Sequence, residues 1–253
     1  MKLPTICQLS CSSSAMPDSN LFSNTGLPEK FVLTKLQVPG ELDDAQLTEY
    51  FQPLLHTPGH NRSMWGMIQD KPKTALLATL WETTDAIKSF QDSPSAQLLW
   101  ETLAAKNIII FSSHETPYVG NWFEVLDSSF IQLFWVYFQA PVTDAQRTEI
   151  SKLRGIRPPA LGFSVPRHHR PQTEIPIQAW ATQPESNATQ LMLWPHFWRN
   201  PEKSEWRHGL TEVLFGSTII GKRSIIDDFH AKLQEVGSVK WTEDLCSFRR
   251  IRA

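Results

Sequence analysis

Four side chains around one turn can each handle a proton or an oxyanion. His56 and His60 flank the Pro58-Gly59 turn, and Asn61 and Trp65 follow at a spacing of i, i+4. A histidine with a near-neutral pKa can take a phenolic proton or one from an activated carbon. The Asn amide and the Trp indole each carry an N–H suited to a developing oxyanion. Each residue also has a structural use. His56 suits a helix C-terminus, where the dipole favours it. His60 and Asn61 suit an exposed turn, and Trp65 suits a core. A second group, His196, Trp198, Trp206 and His208, lies close together in the sequence. It can line a second pocket, or the Trp residues can simply pack. Arg167-His168-His169-Arg170, set between Pro166 and Pro171, can meet an anion or stand as a solvated loop tip.

Other chemistries have no foothold in the chain. There is no HxxxH on a helix, no HxH beside carboxylates and no CxxC, so no metal site is expected. GxGxxG, P-loop and serine-elbow motifs are missing, which leaves no flavin or nucleotide site. The expectation is a protein that works without metal, flavin or haem. A net charge of -2 gives nucleic acid nothing to bind. Cys7, Cys11 and Cys246 form an odd, widely spaced set, unlike a disulfide framework. Residues Met1 to Ser14 contain no apolar core of signal-peptide length, and no run approaches a membrane span. The sequon Asn187-Ala188-Thr189 reads as loop sequence. These points together lead us to expect a reduced, cytoplasmic protein. The 10 Trp and 14 Phe suit both a core and a pocket for flat apolar ligands.

The elements that must position these residues follow from pattern. Residues 1 to 28, rich in Ser, Asn and Pro, read as a flexible leader that Leu21, Phe22 and Leu27 could anchor to the body. Lys30–Val38 alternates as a strand. Asp43 with Gln46 forms a capping box, and Leu47, Tyr50, Phe51, Leu54 and Leu55 make one helical face up to Pro58. Ser63–Gln69 and Thr74–Trp81 form a hairpin around a turn at 70–73. Helices at Thr83–Phe90 and Pro94–Ala104 and a strand at Asn107–His114 complete a β-α-β-β-α-β order.

After a linker at Glu115–Ser129, with Trp122 and Phe123 tucked against the body, the order begins again. Phe130–Phe138 is a strand. Asp144-Ala145-Gln146-Arg147-Thr148-Glu149 repeats five of the six residues of Asp44-Ala45-Gln46-Leu47-Thr48-Glu49. The repeated order and this hexamer identify an internal duplication. In the second copy, Ala160–Val165 stands for the first hairpin strand, with Gly162 in the place of Gly66. A long excursion from Pro166 to about Ser186 replaces the turn, with Ile177–Ala181 extended. Thr189–Trp198 is the second hairpin strand. Helices are expected at Pro201–Leu214 and Ser224–Val236, and a closing strand at Leu245–Ile251.

Pro58-Gly59, Arg62-Ser63, the Asn61…Trp65 pair, Trp81 at its strand end and Ser93-Pro94 before a helix lie within Thr57–Leu103. In these residues the stretch, about one-fifth of the chain, resembles the antibiotic biosynthesis monooxygenase family of the dimeric α+β barrel superfamily. The resemblance implies an α+β fold in which two ferredoxin-like sheets close face to face, here as a pseudo-dimer within one monomeric chain. It implies that Asn61 and Trp65 hydrogen-bond the oxygens of a phenolic substrate. Trp81, Phe90 and Trp100 then join the pocket wall. The chain departs from the family where many members carry a Glu two residues before the strand-end Trp and a His in the next helix. Those places hold Thr79 and Phe90 here, and His196 and about Trp206 in the second copy. The expected function is cofactor-free oxygenation of a hydrophobic aromatic or polyketide-like small molecule in natural-product biosynthesis. A cyclase, isomerase or dehydratase using the same pocket is the alternative, and a non-catalytic binding barrel a second one. The working pocket is expected in the first repeat.

Overall fold

A computed structural model describes residues 29–40, 43–118, 122–156, 177–185, 188–215 and 218–252, with only the backbone at 44, 211–215, 219 and 223. The first repeat runs β1 (Lys30–Gln37), α1 (Asp44–Tyr50), α2 (Gln52–Leu55), β2 (His60–Ile68), β3 (Lys71–Trp81), α3 (Thr84–Gln91), α4 (Pro94–Ala105) and β4 (Ile109–Pro117). A short helix α5 (Phe123–Leu126) leads into the second repeat. That repeat runs β5 (Phe130–Gln139), α6 (Asp144–Ser151), β6 (Ala179–Trp180), β7 (Thr189–Trp198), α7 (Pro201–Ser204), β8 (Leu210–Phe215), β9 (Thr218–Ser224), α8 (Ile225–Glu235), β10 (Ser238–Ser247) and β11 (Arg249–Arg250).

The strands follow the order β4-β1-β3-β2-β10-β5-β7-β6, so each repeat shows the same ferredoxin-like 4-1-3-2 arrangement. All pairings are antiparallel. The two sheets join where β2 meets β10, through Cys246 opposite Ile68 and the Gln69 N–H on the Leu245 carbonyl at 2.7 Å. On the far side, the Thr182 N–H donates to the Glu115 carbonyl at 2.7 Å, just beyond β6 and within β4. One chain thus brings both pairs of sheet edges together, which removes the bare edges each sheet alone would carry.

Alternation along the strands sorts the core into three compartments. Phe31, Leu33, Met64, Leu76, Ile131 and Leu193 point inward with their neighbours and fill the barrel. Leu36, Leu47, Leu77, Phe90, Leu99 and their neighbours pack beneath the helices of the first repeat. Phe134, Val136, Ile150, Trp194, Phe229 and their neighbours do the same in the second. Helix α5 plugs one mouth of the barrel, with Trp122 edge-on to Phe31 at 4.4 Å. At the other end the fully buried Asp244 carboxylate of the second repeat takes Lys35 and Lys71 of the first, each at 2.6 Å, and the Trp135 indole N–H at 2.7 Å. Those three donors stabilise a charge that burial alone would penalise.

Local chemistry explains where the elements begin and end. Asp43 and Thr143 both make reciprocal capping boxes, with Gln46 and Gln146. The expected single helix up to Leu55 is broken at Phe51, because Pro53 suits the first turn of a new helix and not the interior of an old one. The expected helix Pro201–Leu214 is a larger correction. It stops as α7 and one 3-10 turn at Glu205–His208, and Gly209 then leads into the β8–β9 hairpin. Nor does one strand span Leu245–Ile251. The strand begins at Ser238 and breaks after Ser247, and β11 pairs instead with β2. Strand β4 runs on to Pro117, three residues into the expected linker. Residues 160–165, the Arg167–Arg170 run, the leader, Cys7, Cys11 and Asn187 lie outside the described residues. Among the described residues, no helix is long and apolar enough to cross a membrane.

Candidate functional site

The helix-facing side of the first repeat is set by a bulge at the start of β2. His60 pairs with Trp81, but Arg62 pairs with Leu80, so one extra residue, Asn61, is accommodated between them. A bulge shifts which residues share a face. The side chains registered against Trp81, Thr79 and Leu77 are therefore His60, Ser63 and Trp65. Asn61 is exposed, and its amide donates to the Glu29 carboxylate at 2.6 Å. The structure thus does not bring Asn61 to the wall that Trp65 shares. The Trp65 indole is also committed, donating to the Thr48 hydroxyl at 3.0 Å within the helix-side core. Neither expected oxyanion donor is directed at an open space.

What the bulge does assemble is a row of rings. His60 lies edge-on to Trp81 at 5.1 Å, Trp81 meets Phe90 at 5.3 Å, and Phe90 meets Trp100 at 6.3 Å. The His60 Nε2 is 2.6 Å from the buried Ser63 hydroxyl. Burial lowers the His60 pKa to about 4, against a smaller opposing hydrogen bond at the Arg62 backbone. The ring is neutral at neutral pH and half-buried, so it remains reachable. Helix α3 arrives over it because Thr83 caps the helix, and because Gly59, at φ 74°, lets Ala86 approach to where a Cβ would sit at 2.5 Å. Thr79, two residues before Trp81, accepts the Trp81 indole N–H at 2.8 Å. His56 is exposed at the C-terminus of α2, away from this row.

In the second repeat the expected group divides. His196 is buried, and both of its nitrogens serve the backbone: Nε2 accepts the Ile156 N–H at 2.8 Å, and Nδ1 donates to the Trp194 carbonyl at 3.2 Å. Burial lowers its pKa to about 4. It holds the loop after α6 and has no nitrogen left for a ligand. Trp198 is fully buried and donates to the Gln132 side-chain oxygen at 3.1 Å. Trp206 packs beside it at 6.1 Å. His208 is exposed, 3.7 Å from Glu205. A cleft of about 270 Å³ opens at the β2–β10 seam, with Trp65, Phe130, Pro201 and Arg249 in its wall. Gly66 is required there, since a Cβ would lie 2.3 Å from the Ser247 carbonyl oxygen. Among the described residues, no group of three His, Cys, Asp or Glu side chains could hold a metal ion. Sequence reasoning missed Ser63, Thr79 as a partner of Trp81, and Gln132. Their signal is register, which spacing alone does not reveal.

Fold and site together define an α+β protein of two ferredoxin-like sheets, with an aromatic, histidine-bearing layer under each set of helices. Comparison with solved structures agrees on the fold. An anthrone oxidase-like protein matches over 90% of this chain and 95% of its own, at 10% identity and a TM-score of 0.54. A candidate monooxygenase from Lactobacillus acidophilus NCFM matches over 89% and 95%, at 11% identity and a TM-score of 0.48. A candidate antibiotic biosynthesis monooxygenase from Chloroflexus aurantiacus J-10-fl covers 36% of this chain and 94% of its own, at 19% identity and a TM-score of 0.31. No protein-family model matches the chain, and no curated protein matches its sequence. At 10% identity the likeness to the anthrone oxidase-like protein concerns the fold alone.

Proposed function

We propose that the chain is a cofactor-free enzyme that oxygenates a small, flat, enolisable phenol or aryl ketone at the first repeat. The observation that carries this reading is the contrast between the two histidines in the helix-facing layers. His60 is half-buried, neutral and set among rings, and its Nε2 meets a serine hydroxyl that a substrate can displace, whereas both nitrogens of His196 are engaged by the backbone. A neutral imidazole can take a proton from an acidic C–H or O–H. The aromatic wall formed by Trp81, Phe90 and Trp100 stacks the resulting anion and keeps water away from it. An enolate placed beside the ring raises the basicity of His60 through charge coupling, which favours the transfer.

The reaction balances with dioxygen as the only co-reactant. The C–H bond breaks and its proton goes to His60. The carbanion passes one electron to O2, and superoxide recombines with the carbon radical to form a C–O bond. The peroxide anion recovers the proton from His60. Loss of water then leaves a carbonyl where the C–H bond stood. The protein supplies orientation and a desolvated site.

The test is oxygen uptake with anthrone and with bicyclic enolisable phenols. The full chain is expected to accelerate uptake above the air blank. His60→Phe keeps ring packing but removes the base, and is expected to lower turnover by roughly 10²-fold or more. No acceleration with any of these compounds, or full activity in folded His60→Phe, would overturn the reading.

A further inference from the structure

The second repeat carries a polar chain that the first repeat lacks. The Trp198 indole can only donate, so the Gln132 oxygen must face it, at 3.1 Å. The amide NH2 of Gln132 must then point the other way, and it donates to the Glu243 carboxylate at 2.7 Å. Both Gln132 and Trp198 are fully buried. The carboxylate is therefore held in place by a chain rooted in β5 and β7. Lys30 pairs with Trp81 and Phe130 with Trp198, so the repeats superpose by register. In that register Val32 stands where Gln132 does, and Ser113 where Glu243 does. The barrel does not need this chain in order to close, since the first repeat does without it. Burying such a chain costs desolvation that a Val would avoid.

His230 on α8 lies over the same strip, against Trp241, two residues from Glu243 on β10, and Phe134, which pairs with Glu243. Its ring lies 5.1 Å from Trp241 and 6.1 Å from Phe134. Its Nε2 is buried and has no hydrogen-bond partner among the described residues. A buried nitrogen without a partner is costly, and a ligand oxygen would satisfy it. Burial lowers the pKa of His230, while the charges of Glu243 and Asp227 oppose that shift. On the floor, Trp241, Glu243 and Leu245 of β10 are each half-buried, so the helices leave this strip of the sheet partly uncovered.

We propose that this strip is a second small-molecule site, which takes an uncharged aromatic compound bearing a hydroxyl and a carbonyl. The ligand hydroxyl donates to Glu243, the half-buried His230 ring turns to bring its occluded Nε2–H to the carbonyl, and the rings lie against Trp241. Glu243 and Asp227 repel anionic ligands, so the charge state of the ligand sets specificity. The site goes beyond the oxygenation assigned to the first repeat and does not depend on it.

The test uses 4-hydroxy-2-acetonaphthone, a bicyclic hydroxy ketone whose hydroxyl cannot reach its own carbonyl, with the full chain. Calorimetry gives its affinity, and ¹⁵N-imidazole NMR reports on His230. Binding is expected to shift the His230 Nε2 resonance. His230→Phe and Glu243→Gln should each weaken binding by about tenfold or more, and His230→Gln, which places an amide N–H near the same point, should restore most of it. The anionic 4-hydroxy-2-naphthoate should bind less tightly than the ketone. If the probe leaves the His230 resonance unmoved at millimolar concentration, or if folded His230→Phe and Glu243→Gln bind it as tightly as the parent, the proposal is overturned. If His230→Phe does not fold, the resonance in the parent chain and the His230→Gln affinity decide. Oxygen uptake follows His60, so loss of uptake with the His230 shift intact defeats the earlier reading alone.

Discussion

Each repeat ends its third strand on a tryptophan, and the two copies treat that residue differently. Trp81 and Trp198 are both buried and both donate through the indole N–H. Trp81 donates to Thr79, two residues back on its own strand, whereas Trp198 donates to Gln132 on the neighbouring strand. The position two residues back holds Thr79 in one copy and His196 in the other, and His196 is turned to the loop after α6. The ring has a packing role common to both copies, while its polar partner differs between them. The same kind of residue is therefore tied to its own strand in one half and to a neighbouring strand in the other.

The sharpest way to break this comparison is to remove the two histidines in turn. His196→Leu leaves the Ile156 N–H buried without its partner and takes one donor from the Trp194 carbonyl. A buried unsatisfied N–H costs about 1–3 kcal/mol, so the chain should lose roughly 2–3 kcal/mol by denaturant unfolding. Gly155 faces the same ring, at φ 67° and with only 2.5 Å for a Cβ, so the loop has little room to relax. His60→Leu frees one serine hydroxyl beside a half-buried ring and should cost about 1 kcal/mol. Equal losses in the two variants would erase the distinction between a structural and a working histidine.

Acid should act through both repeats. His196 has a folded pKa of about 4 against the usual 6.5. Between those values the unfolded chain binds a proton that the folded chain refuses, so stability falls as pH drops through this window. The full loss, reached near pH 4, is about 3 kcal/mol for a shift of this size. His60 is shifted the same way, to about 4, and adds to the slope. Unfolding free energies measured from pH 7 to pH 4 should show this fall, and His196→Leu should show a shallower one. A flat profile in the parent chain would mean that His196 is protonated in the fold.

The duplication was legible because its markers are local. A capping box needs only Asp43 with Gln46, or Thr143 with Gln146, and both form. Alternation placed β1, β5 and β7 within a residue of where they lie. The site was less legible because a face depends on register. One extra residue at Asn61 exchanges it for His60, and nothing in the spacing from 61 to 65 reports that slip. The β8–β9 hairpin was hidden for a different reason. Its approach, Pro201 to His208, has a helix-like start that does form one turn of helix, and Gly209 is the only break before Leu210. His230 gave no motif because Trp241 and Glu243, which lie near it, belong to another element. Only packing brings them together.

The smallest expected effect separates the two tryptophans themselves. Trp81→Phe and Trp198→Phe each keep an aromatic ring and remove one N–H. Without Trp81, the Thr79 hydroxyl still has a backbone carbonyl to donate to, that of Val32 at 3.5 Å. Its cost should be near 1 kcal/mol beyond the lost ring area. Without Trp198, the buried Gln132 oxygen has no donor, and the amide that fixes Glu243 is free to turn. That change should cost about 2 kcal/mol, because a buried acceptor is left unsatisfied. It should also weaken binding of the hydroxy ketone at the second site, which Trp81→Phe should not do. If both variants lose the same stability and leave that affinity unchanged, the chain from Trp198 through Gln132 to Glu243 is packing alone, and the second repeat is a copy whose differences carry no function.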